Sequence, residues 1–136
     1  MRVKLDEGAF VPSKAHTEDA GYDIRSREDK VVFGFSSEVF HTGVHVEIPN
    51  GWCGQVWSRS GLHVRNDITT TGMIDSGYSG EIIVKLTNHR ESKYHVKKGD
   101  KIAQLVITPC LMELIEVVED INGGERGDNG FGSSGR

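Results

Sequence analysis

Apolar positions along this chain of 136 residues recur with a period of two rather than 3.6. Met1–Leu5, Gly43–Ile48 and Gly54–Trp57 alternate apolar and polar side chains, the pattern of half-buried strands. Glu81–Leu86 and Ile102–Ile107 are denser in apolar residues and predict more deeply buried strands, with another at Leu111–Val117. Val31–Phe33 and Ser36–Phe40 predict shorter ones. Turn signals separate them at Pro49–Gly51, Ser76–Gly77, Lys97–Asp100 and Asn122–Gly124. The pattern contains no long amphipathic helix, and one short helix is predicted to start near Ser58. Many short strands joined by glycine-rich turns imply an all-β sandwich or barrel.

This length predicts one domain with room for a core that needs no staples. The formal net charge of −4 gives no basic footprint for duplex DNA or an anionic membrane, so neither nucleic acid nor membrane is an expected partner. The two cysteines, Cys53 and Cys110, lack metal-ligand spacing and read as buried thiols rather than a disulfide framework. Met1–Leu5 is not an apolar signal segment, and no apolar run approaches membrane-spanning length. The expected location is the cytoplasm, or the nucleus in a eukaryotic host. The six histidines are scattered. His41 and His45, read as one strand, lie on one face about 13 Å apart, too far to share a metal.

The composition shifts after Asp120, where Glu125–Gly135 combines glycine, two serines, Arg126 and a lone Phe131. Such a segment buries too little apolar surface to order itself, and an arbitrary tail of this kind is usually a frayed terminus. Its parts nevertheless suit a nucleotide. Arg126 can fork onto a phosphate, Phe131 can stack on a base, and bare amides and hydroxyls can donate to phosphate oxygens.

Four other segments carry candidate chemistry. Gly72–Ile82 places one carboxylate, Asp75, in a glycine-rich turn beside Tyr78, where it can act as a general base or simply as a hairpin residue. Trp57–Leu62 sets Arg59 and Ser60 next to Gly61, a donor cluster for an anion or a capped turn. Asp23, in Asp19–Ile24, suits the water shell of a phosphate-bound Mg²⁺ or a turn. Gln104 sits in an apolar strand, where its amide requires hydrogen-bond partners.

Taken in order, these segments resemble the five motifs of the trimeric all-β dUTP pyrophosphatase (dUTPase) family: Ala20–Ile24, Ser58–Leu62, Gly72–Gly80, Gly99–Gln104 and Arg126–Gly135. The resemblance spans nearly the whole chain. It implies a distorted β-barrel or jelly-roll over residues 1–120 and a flexible C-terminal lid arm over 121–136. It also implies a homotrimer with shared active sites, and hydrolysis of dUTP to dUMP and pyrophosphate. By the same resemblance Asp75 orients and deprotonates the attacking water, and Asp23 acts through water on Mg²⁺. Arg59, Ser60, Gly61 and Gln104 bind phosphates. Gly72, Met73 and Ile74 contact the nucleoside through backbone, and Tyr78 packs on the deoxyribose. Arg126 holds the γ-phosphate, Phe131 covers uracil, and Gly132, Ser133 and Ser134 complete the triphosphate cradle.

The chain departs from the family in places. Thr69 falls where many relatives carry an asparagine toward uracil, and Ser58 and Gly77 also differ, which the sequence reading takes as harmless. Two other functions compete with this one. A dCTP deaminase on the same barrel needs a carboxylic acid on the return strand, where Lys85 stands. A nucleotide-responsive regulatory binding protein is the alternative on the same fold, and it has no need of the base that Asp75 supplies.

Overall fold

The computed structural model describes residues 1–130. Its strands are β1 (Arg2–Leu5), β2 (Gly21–Arg25), β3 (Lys30–Val32), β4 (Ser37–His41), β5 (Val44–Glu47), β6 (Trp52–Trp57), β7 (Ile68–Thr69), β8 (Thr71–Ile74), β9 (Ile83–Asn88), β10 (Tyr94–Val96) and β11 (Lys101–Pro109). The short helix α1 spans Ser60–Asn66, beginning two residues after Ser58. Alternation is visible wherever a strand has one wet face. In β9, Val84, Leu86 and Asn88 are buried while Ile83 and Lys85 are exposed, so this strand is half-buried rather than deeply buried. In β5, Val44 and Val46 point inward.

All pairings are antiparallel and make four small sheets: β1–β5, β3–β10, β2–β11–β6–β8 and β4–β9–β7. Their inner faces share one core that includes Ile24, Phe40, Val56, Ile82, Leu86, Ile102 and Leu105. Phe40 is wholly buried, worth about 1.5–3 kcal/mol for a side chain of this class. Asn88, also buried, donates to the carbonyls of Val32 and Ser92 and accepts from Arg90 N–H, so its polar atoms are matched. This mostly β architecture is the expected distorted barrel.

Two expectations need correction. Leu111–Val117 is not a strand: paired structure ends at Pro109, and Leu114, Ile115 and Val117 are 97, 95 and 94% exposed. Its apolar pattern is real, but no strand of the described chain pairs with it. His41 and His45 do not share a strand, because Gly43 at φ +68° ends β4 before β5 begins. Both cysteines are free; Cys53 is buried as expected, and Cys110 is only half-buried.

Candidate functional site

The chain switches sheets at Thr70. β7 pairs with β9, at Ile68↔Asn88 and Thr69↔Thr87, whereas β8 pairs with β6, from Trp57↔Thr71 to Gly54↔Ile74. β8 and the lower part of β9 therefore diverge, and a wedge opens between them. Among the described residues the wedge-side edge of β8 has no strand partner, so its amides and carbonyls are free to meet a ligand as a neighbouring strand would. The deep end is a cavity of about 420 Å³ lined by Trp57, Ser58, Thr69, Thr70, Thr71, Lys85 and Thr87. The mouth is a hollow of about 220 Å³ lined by Met73, Ile74, Asp75, Tyr78, Glu81 and Ile83.

Ser58 holds the deep end. Its hydroxyl accepts from Thr70 N–H at 2.7 Å and donates to the Thr70 carbonyl at 3.0 Å. The Thr70 hydroxyl is buried without a protein partner, and Thr70 is one of the residues that line this cavity. The Thr69 hydroxyl is already paired with His89 Nε2 at 2.7 Å. Ser58, a departure expected to be harmless, and Thr70 carry a contact that is not legible in the sequence. The only sequence signal was the run of three threonines, Thr69–Thr71.

At the mouth, Tyr78 N–H closes a turn on the Asp75 carbonyl at 3.0 Å, leaving the Asp75 side chain exposed. The Tyr78 hydroxyl donates to the Glu81 carbonyl at 2.9 Å. Its ring lies where a side chain on Gly80 would be, so glycine is required there. Tyr78 is thus a fixed wall beside the exposed carboxylate. Gly72 and Met73 are exposed on β8, while the Ile74 side chain turns into the core.

The return segment is tied to the β4–β5 corner. Glu81 accepts from Gly43 N–H at 2.6 Å and pairs with His41 Nδ1 at 2.9 Å. Partial burial opposes its charge, but these hydrogen bonds and the charges of His41 and Arg27 outweigh it and hold Glu81 below the usual glutamate range. Ile82 N–H donates to Val44 at 2.8 Å, and the Thr42 hydroxyl donates to the Ile82 carbonyl at 2.6 Å.

A second cluster forms beyond the other end of the β6–β8 ladder. Gln104 in β11 stands between Asp23 of β2 and Trp57 of β6. Its amide donates to the Ser58 carbonyl at 3.3 Å, and it fills the space where Gly21 lacks a side chain. Asp23 accepts from Arg59 Nε at 3.0 Å and Lys101 Nζ at 2.6 Å. One carboxylate therefore orients two cations, and the terminal nitrogens of Arg59 remain available to fork onto a phosphate. Arg59 is the N-cap of α1 with no side-chain cap, and Ser60 and Gly61 are exposed in its first turn. Arg25, Arg59, Tyr94 and Lys101 line a hollow of about 350 Å³ here. Arg25 and Lys101 do not stand out in the sequence as site residues, although Lys101 lies inside the fourth motif.

The two halves do not meet within one chain. Arg59 lies beyond the Trp57↔Thr71 rung and Asp75 beyond the Gly54↔Ile74 rung. Those rungs alone are roughly 10 Å apart by strand rise. Arg126 is exposed in a turn over 125–128. Phe131, Gly132, Ser133 and Ser134 lie outside the described residues.

Among the described residues no cluster of three His, Cys, Asp or Glu side chains could cage a metal. Asp23 fits a metal in one way only. Each oxygen already accepts from a cation, so the carboxylate suits a metal's water, with phosphates supplying the inner ligands.

The site thus consists of a wedge in a mostly β barrel, an exposed carboxylate at its mouth and a separate cation cluster. The family profile for dUTPase matches residues 8–135. The chain is 42% identical to a deoxyuridine 5'-triphosphate nucleotidohydrolase of Clostridium tetani, covering 100% of this chain and 97% of that one. It is 42% identical to that of Trichodesmium erythraeum, covering 97 and 95%. Among solved structures it is similar to the Staphylococcus bacteriophage 80alpha dUTPase with dUPNHPP, at TM-score 0.92 and 34% identity over 99% of this chain and 98% of that one. A mutant dUTPase of phage phi11 of S. aureus, described with a structural Mg(II) ion, aligns at TM-score 0.82 and 33% identity over 88 and 96%. The chain belongs to the dUTPase family.

Proposed function

We propose that the protein hydrolyses dUTP to dUMP and pyrophosphate by attack of water on the α-phosphate, keeping uracil out of DNA and supplying dUMP. The observation that carries this reading is the pairing of a wedge with free strand edges and the exposed Asp75 beside the fixed Tyr78 wall. Uracil enters the deep end, where backbone groups of β8 meet its polar edge. The deoxyribose rests on Tyr78, whose locked ring leaves no room for a 2′-hydroxyl. The α-phosphate then lies by Asp75, which takes a proton from the attacking water.

Arg59, Ser60 and Gly61 grip the phosphates and Gln104 braces their cradle. Arg126, Phe131, Gly132, Ser133 and Ser134 close over the substrate and exclude bulk water. Mg²⁺, carried on the phosphates and touched by Asp23 through water, supplies charge neutralisation when bound.

We assign the active form to a homotrimer with shared sites. The separation of Asp75 from Arg59 supports a site completed by a second copy. The exposed Leu114, Ile115 and Val117 support a chain end that packs on a neighbour. Acting on free nucleotides, the protein works in the cytoplasm.

The test is pyrophosphate release from dUTP, dTTP, dCTP and UTP, with Mg²⁺ and with EDTA. Turnover of dUTP alone, weakened by EDTA, supports the reading. Ammonia from dCTP, or tight dUTP binding without turnover, contradicts it.

A further inference from the structure

His45 in β5 approaches the Ser79 carbonyl through Nδ1 at 3.0 Å and Asp6 Oδ2 through Nε2 at 3.2 Å. A carbonyl and a carboxylate only accept. A neutral imidazole has one N–H, so it satisfies one partner and turns a lone pair on the other. Only the imidazolium donates to both. The His45 side chain itself is 17% exposed, while Ser79 lies at the surface.

Other charged groups surround the pair. Lys4 of β1 stands directly across from His45 and opposes its charge. Arg27, from the turn after β2, favours the charge on Asp6. Arg2 and Glu47, paired with one another, line the hollow of about 450 Å³ between β1, β5 and the Ser76–Ser79 turn, as does Tyr78. The Ser79 carbonyl first, then Asp6, lift the His45 pKa above its ordinary value, against burial and Lys4.

We propose that His45, as the imidazolium, is a positioning residue for dUTP hydrolysis: it fixes Ser79 and so sets the Asp75–Tyr78 turn on which the deoxyribose and the attacking water are placed. This rests on the wedge being the deoxyuridine site. Because the folded pKa is raised, the double contact is complete below the ordinary histidine value. It is lost as pH rises through the raised one. The neutral ring keeps its one N–H on the Asp6 carboxylate, the stronger acceptor, so the contact given up is the one to Ser79, while Glu81, which also pairs with His41, holds the far end of the segment through Gly43 N–H.

The experiment measures kcat and KM for dUTP from about pH 6 to about pH 9, spanning the histidine range, on full-length wild type, His45→Gln and His45→Arg. In parallel, ¹⁵N spectra follow the His45 ring nitrogens and the Ser79 and Gly80 amides. In the wild type KM rises by about tenfold across the His45 titration, the scale of one hydrogen bond to a charged group. His45→Gln has the high KM throughout. His45→Arg, charged at every pH, keeps a low, flat KM. Both ring nitrogens are protonated at the acid end, and the Ser79 amide shifts with the same midpoint.

A wild-type KM profile in His45→Gln, or Ser79 and Gly80 amides that ignore the His45 titration, overturns the proposal. A wild type that turns over no dUTP at any pH defeats the functional reading instead, and the amide titration alone then decides whether His45 sets the turn.

Discussion

Ser58 and Thr70 are bound reciprocally: one hydroxyl accepts from the Thr70 amide at 2.7 Å and donates to its carbonyl at 3.0 Å. This pair pins the point where the chain leaves β9 for β6, and so sets how far the wedge opens. Ser58→Ala removes both bonds and leaves the buried Thr70 backbone unit unmatched. The expected loss is about 1–3 kcal/mol in urea denaturation, with a raised KM for dUTP. Ser58→Thr should restore both. An alanine variant with wild-type stability and KM would show that the wedge does not depend on this contact.

Asp75 is exposed and structurally uncommitted, so Asp75→Asn should fold normally and bind dUTP. Its kcat should fall by about 10²–10⁴, the weight of a general base. Rapid-quench turnover checks this, and a wild-type rate would remove Asp75 from the role.

Deleting residues 123–136 should leave the thermal transition in place, because the core lies within residues 24–105. The same truncation should abolish most dUTP turnover. A lower Tm would mean that the arm also supports the barrel.

Leu114 is 97% exposed within one chain. If it packs on a neighbouring copy, Leu114→Glu buries a charge at that contact and should shift the mass in analytical ultracentrifugation from trimer toward monomer. Activity should fall with it, since Asp75 and Arg59 stand at opposite ends of the ladder. A fully trimeric variant would place the interface elsewhere.

Glu81 is held below its ordinary value of 4.5 in the fold. A depressed carboxylate adds stability above the unfolded pKa and loses it as pH falls through the folded one. Stability should therefore fall as pH drops below about 4.5 and through the lowered folded value of this group. Glu81→Gln should flatten that part of the stability curve, measured by thermal melts in acid. An identical acid limb in both proteins would assign the loss to other carboxylates.

Much of the barrel was legible because a half-buried strand must alternate: β5, β6, β9 and β11 each announce themselves. β2 and β8 do not stand out as strands, since Asp23, Gly72 and the adjacent apolar pair Met73–Ile74 break the alternation where the chain carries its chemistry. β7 is too short to have a period. Leu111–Val117 was read as a strand because local pattern reports the capacity to pair, and a partner must come from elsewhere.

The sequence by itself determined the all-β class, through the period of two, and the family, through five ordered motifs whose residue types suit base, phosphate and water. Tertiary structure decided how those motifs are distributed. Strand register gathers Asp23, Gln104 and Arg59 at one end and leaves Asp75 and Tyr78 at the other. The switch of partner at Thr70 opens the wedge, and the corner at Gly43 brings His41 and His45 onto the return segment. Register and corner geometry arise from contacts between residues distant in sequence, which local periodicity cannot encode.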